Sequence, residues 1–171
     1  MDAAIAATAA TEIRPSRSSQ AWSEAIASLT EAFAEDPCLA WLLDSSVYDP
    51  AKAFHIHEYT LRVASLWGRT WVAGPHSEGI CLWLPPGRVE VSTPMFIRAG
   101  GLALRKTVDK GVIRRFSEYG EYSAAFHHRV APGPHWYLLS IGVAKAARGR
   151  GLARTLIEPM LAEFDRSGLP C

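Results

Sequence analysis

The order of apolar and polar positions divides the chain into helical and extended stretches. Trp22, Ile26, Leu29 and Phe33 recur at helical spacing behind Ser18 and Ser19, either of which can cap. They predict a helix running to about Glu35, where Asp36-Pro37 stops it. A second helix is predicted over 51–67, with Phe54, Tyr59, Val63 and Leu66 among its apolar positions and Gly68 closing it. The period then drops to two. Arg69–Ala73 and Gly79–Leu84 predict short strands joined by a turn at Gly74-Pro75. In the second of these both alternating sets are apolar, Ile80, Leu82 and Leu84 against Cys81 and Trp83, as in a strand covered on both faces. Residues 93–129 return to a helical pattern broken at Gly100-Gly101. Residues 135–143 predict a buried strand. Residues 152–166 predict a last helix, with rows Leu152, Leu156, Met160 and Ala153, Ile157, Leu161. Pro159 lies inside it and should bend it.

At 171 residues the chain is sized for one domain, and its 49% apolar and 20% charged residues are ordinary for a globular protein. A formal net charge of +1 argues against a general nucleic-acid binder. Three widely spaced cysteines give neither a disulfide framework nor zinc spacing. Residues 1–11 are Ala-rich, lack a basic export signal and are expected to form a flexible tail. No apolar run approaches the ~20 residues of a membrane span, so the expectation is a cytoplasmic protein that meets no membrane.

The chemistry concentrates between the last strand and the last helix. Between Tyr122 and Ile157 there is no Asp or Glu, while Arg129, Lys145, Arg148, Arg150 and Arg154 all lie there. A helix N-terminus offers unpaired N–H groups and a partial positive charge, and Gly149 and Gly151 let a ligand come close to that backbone. Together these predict an anion site, most naturally for phosphate. A P-loop pattern is absent. A dinucleotide fingerprint fails at its third glycine, where Arg154 stands, although a degenerate version keeps a nicotinamide-nucleotide reading open. The pattern [QR]-x-x-G-x-[GA] is met at every position by Arg148-Gly149-Arg150-Gly151-Leu152-Ala153.

Strand WYLLSIGV followed by ARGRGLARTLIEPML resembles the acetyl-CoA motif of the GCN5-related N-acetyltransferases (GNAT), and in layout the puromycin N-acetyltransferase type. The likeness is specific over 136–161 and architectural over the rest of 11–171, with a first strand near 12–15 and a helical insertion at about 92–130. It implies an α/β three-layer sandwich with a mixed sheet. It also implies acetyl transfer from acetyl-CoA to an amine by direct attack. The backbone amides of Arg148, Gly149, Arg150, Gly151, Leu152 and Ala153 would hold the diphosphate, and Ile141, Gly142 and Val143 would pair with the pantetheine arm. Family members continue with further strands and a helix that bears a general acid. The expectation is therefore an incomplete domain over 12–171 that lacks the last strands and last helix. Its alternative is a non-catalytic fragment or pseudoenzyme that keeps the phosphate element and associates with itself through the exposed motif strand.

Other residues have plainer readings. His55 and His57 do not share a helical face, and neither do His127 and His128, so no metal site is expected. Cys81 is expected as a core residue, and Ser140 lacks a nucleophile-elbow context. Lys145 and Arg154 are expected as solvated charges. Glu31, Glu35 and Asp36 are candidates for a general base, because the first helix and the loop after it often border the acceptor in the family. Phe116, Tyr119, Tyr122 and Phe126 could line an acceptor pocket, though a stripe packed on the sheet is the simpler explanation.

Overall fold

The structure is a computed structural model that describes residues 9–14, 19–44 and 48–171; most of the expected tail, Pro15 and Ser18 lie outside them. The elements are β1 (Thr11–Ile13), α1 (Gln20–Ala32), α2 (Pro37–Leu43), α3 (Pro50–Trp67), β2 (Arg69–Ala73) and β3 (Gly79–Leu84), then α4 (Thr93–Arg98), α5 (Gly101–Thr107), α6 (Lys110–Val130), β4 (Tyr137–Val143) and α7 (Leu152–Ser167).

Capping residues set most of the boundaries. Ser19 Oγ accepts from the Trp22 amide at 3.2 Å and opens α1. The helix stops at Ala32, and Asp36-Pro37, expected as a stop, instead opens α2. Asp36 Oδ1 accepts from the Leu39 amide at 2.7 Å, and proline at the first helical position has no N–H to satisfy. Asp49 and Pro50 repeat this arrangement at α3. Gly68 closes α3 in extended conformation rather than left-handed, with φ −130°. Glycine is needed there for space: a Cβ would lie 1.9 Å from the Trp83 carbonyl oxygen. The 93–129 stretch breaks at Gly100, as expected, and again at Asp109, whose Oδ1 accepts from the Val112 amide and starts α6.

The sheet has the order β1-β2-β3-β4, and every described pair is antiparallel. The expected mixed sheet is thus corrected over the described strands. β2 and β3 form a hairpin, and the helical excursion α4–α6 returns β4 in the opposite direction to β3, so no parallel neighbour arises. The layers are those of a three-layer sandwich. Ile80 and Leu82 pack with Trp22, Ile26 and Leu29 of α1 and with Leu61 of α3, while Leu84 joins Val63, Leu39 and Val112. On the other face Cys81 and Trp83 meet Leu156, Met160 and Phe164 of α7. Burial of each such large side chain is worth about 1.5–3 kcal/mol.

β4 is less covered than expected. Only Gly142 is fully buried, because β3 pairs with one edge and no described strand lies along the other. A bulge interrupts the pairing: Leu82 faces Ser140 and Trp83 faces Leu138, which leaves Leu139 over. On either side of it, Trp136, Leu138, Ile141 and Val143 all pack in the α7 layer. After α7 the chain comes back to β4, where the Trp136 amide donates to the Pro170 carbonyl at 2.9 Å.

Candidate functional site

The end of β4, the loop after it and the head of α7 face the C-terminal end of α1 across a cleft of about 680 Å³. A 3-10 turn, Lys145–Ala147, leads from β4 into the loop. Gly149 and Gly151 then take left-handed φ values of 79° and 78°, which turn the chain into α7. A Cβ at either glycine would meet nothing within 4 Å, so both face open space. The first helical bond accepted at this end runs from the Thr155 amide to the Gly151 carbonyl at 3.1 Å. Among the described residues, no protein oxygen accepts from the amides of Gly149 through Arg154. Six consecutive donors are thus bare at the positive end of a 16-residue helix.

Of the nine residues named from the sequence, Ile141, Gly142, Val143, Arg148, Gly149, Gly151, Leu152 and Ala153 line this cleft; Arg150 does not, although its amide is among the six. Just past β4 the Ala144 amide donates to the carbonyl of Glu78, the residue before β3, at 2.8 Å. Strand alternation therefore turns the polar groups of Val143 and Ile141 toward the free edge. The Val143 carbonyl on that edge is taken by Arg148 Nε at 3.2 Å, and Arg148 Nη2 donates to the Ala32 carbonyl at 2.9 Å. The Arg148 guanidinium thereby ties loop, strand and helix together.

Of the wall that runs from the end of α1 to the start of α2, the resemblance supplied Glu31, Glu35 and Asp36, whereas sequence reasoning missed the packing residues Ala32, Phe33 and Pro37. Their signal was Gly142. A Cβ there would come within 3.0 Å of Ala32 Cβ and 3.1 Å of Leu29 Cδ2, and a glycine inside a strand marks such a close approach.

The candidate bases are in the cleft wall, and each is already engaged. Glu31 Oε1 accepts from the Lys145 amide at 2.8 Å, and Glu35 Oε1 accepts from Lys145 Nζ at 2.9 Å. That hydrogen bond and the ammonium charge hold the Glu35 carboxyl below its ordinary range. Asp36 is the α2 cap. Lys145 and Arg154 are largely exposed, in line with the expectation of solvated charges, and each also forms an ion pair, Lys145 with Glu35 at 2.9 Å and Arg154 with Glu158 at 2.8 Å.

The remaining candidates lie elsewhere. Phe116 packs on Tyr59 in the core, 5.7 Å between centroids, while Tyr119, Tyr122 and Phe126 are exposed along α6, away from the cleft. Burial pushes the Cys81 thiol up to about 12, which leaves it inert as a nucleophile. Among the described residues no three His, Cys, Asp or Glu side chains cluster as metal ligands, and no helix is long and apolar enough to cross a membrane.

Residues 111–170, which span the loop, its strand and its helix, match the acetyltransferase (GNAT) family model. Over these residues the chain is similar to GNAT acetyltransferases. An uncharacterized N-acetyltransferase of Schizosaccharomyces pombe is 27% identical over 157 residues, which cover 87% of this chain. The chain spans 62% of that relative's length. A crystal structure from Corynebacterium glutamicum, titled histone acetyltransferase HPA2 and related acetyltransferase, superposes with a TM-score of 0.58 at 21% identity, over 91% of this chain and 72% of that one. That likeness concerns the fold alone, an α/β arrangement with an antiparallel sheet among the described strands.

Proposed function

We propose that the domain binds acetyl-CoA in this cleft and transfers the acetyl group to an amine by direct attack. The observation that carries the reading is the run of unpaired amides from Gly149 to Arg154 at the head of α7, beside the free edge of β4. The amides suit a diphosphate, and the outward backbone of Ile141 and Val143 suits an amide-bearing arm laid along the strand. In the transfer the amine nitrogen bonds to the acetyl carbon, the carbon–sulfur bond breaks, and one amine proton ends on the sulfur. The protein's part is to fix the thioester against β4 and align the amine, which supplies much of the rate in such reactions. The groove between α1 and α3, with Ala27, Thr30, Tyr48 and Phe54 in its walls, shares Glu31 and Ala34 with the cleft and offers the acceptor an apolar approach.

A second reading, a phosphate-binding domain without turnover that pairs with itself along β4, is favoured by the engagement of Glu31, Glu35 and Asp36. Titration of CoA by calorimetry tests the shared part. Wild-type protein should bind, and Gly151→Trp, which forces a bulky side chain onto a left-handed position facing the cleft, should weaken binding at least tenfold. Equal affinity in the two proteins would remove the site. Acetyl transfer to a panel of amines by a monomer on a sizing column excludes the second reading.

A further inference from the structure

Lys145 and Glu35 form an ion pair across the mouth of the cleft, 2.9 Å from Nζ to Oε1, and both line it. The two side chains are 68% and 77% exposed. So exposed a pair gives little stabilisation, because water screens it and two long side chains must be held still. The base of the lysine is nonetheless fixed, since its backbone N–H is held by Glu31. Only the flexible stem has to swing for the ammonium to point elsewhere.

The other cations are less well placed. Arg148 has N–H donors on two backbone carbonyls, and neither Arg150 nor Arg154 lines the cleft. A diphosphate on the loop amides would bring two negative charges beside a carboxylate already there. A phosphate oxygen is the better partner for an ammonium than an exposed carboxylate, given its charge and number of acceptors.

We propose that Lys145 is a phosphate ligand held in reserve: Glu35 holds its ammonium in the free protein and gives it up to the coenzyme diphosphate on binding. The exchange rests on the coenzyme-site reading above. The released Glu35 carboxylate is exposed, so water solvates it. Glu35 is then a competitor for the incoming anion and sets its affinity, rather than a base in the reaction.

The signs of two substitutions separate this exchange from a plain strap between α1 and the loop. CoA is titrated by calorimetry into wild-type protein, Lys145→Met, Glu35→Gln and the double variant, with melting temperatures measured alongside. The exchange predicts that Lys145→Met binds about tenfold more weakly and Glu35→Gln about two- to threefold more tightly. The double variant should match Lys145→Met. Inorganic pyrophosphate should show the same order. A strap predicts that both single variants bind more weakly, to the same degree, with equal losses in melting temperature. That result, or Glu35→Gln binding no tighter than wild type, or Lys145→Met binding as tightly as wild type, overturns the exchange and leaves the coenzyme site standing. A wild-type protein that binds no CoA removes the site and the exchange together.

Discussion

His57 sits within α3 with 6% of its surface exposed, its ring 5.3 Å from that of Phe33. Its Nε2 has no partner among the described residues. Burial pushes its pKa down from 6.5 to about 4, against a smaller opposing pull from the Asp36 carboxylate. The unfolded chain therefore takes up this proton near pH 6.5 and the folded chain only near 4. Between those values the unfolded state binds more protons, so stability is full above about 6.5 and falls as the pH drops toward 4, by about 3 kcal/mol in all. His57→Leu should remove that part of the acid slope, which urea titrations at pH 7 and 4.5 would read; an unchanged slope would mean the ring is charged or wet in the native state. The sequence marked His57 as lying off the face of His55, but not as buried, since burial depends on Phe33 folding over it from α1. Gly68 shows the same limit. Its place at a helix end was legible, whereas its reason, the Trp83 carbonyl, lies on a different strand.

Among the elements, those with a strong local period were readable: β2 and β3 to the residue, and α1, α3 and α7 to within a few residues of their ends. α2 was not, because seven residues are too few to display a helical period, and its Asp-Pro start also reads as the end of what precedes it. Asp36→Ala removes the oxygen that accepts from Leu39 and should cost about 1 kcal/mol, a fall of about 2–4 °C in melting temperature, with Asp36→Asn nearly neutral. Differential scanning calorimetry of the pair checks it; equal losses would mean that the charge, rather than the cap, is at work. In the insertion, the Gly100 break was legible and the Asp109 break was not, though Asp109 is a capping residue of the same kind.

At the scale of the molecule, the site divides according to how far apart its parts are in sequence. The loop and the head of α7 could be read because their chemistry belongs to consecutive backbone amides. The opposite wall was reached only through the resemblance, which named Glu31, Glu35 and Asp36, and its contacts were not legible: the Glu31–Lys145 hydrogen bond joins positions 114 apart, and nothing local announces it. The sandwich brings the two together by laying α1 on β4 at Gly142. The bulge in that strand has a consequence for insertions and deletions. Elsewhere in a strand, losing one residue turns every side chain beyond it to the wrong layer. In β4 the surplus position absorbs the loss, so a chain without Ser140 would set Leu139 opposite Leu82 and keep Ile141 and Val143 toward α7. What it would forfeit is the extra coiling that a surplus residue imposes. A Ser140-deleted protein should therefore melt cooperatively yet hold CoA more weakly, its loop delivered at a different angle, and undiminished affinity would mean that the aim of the strand is set elsewhere.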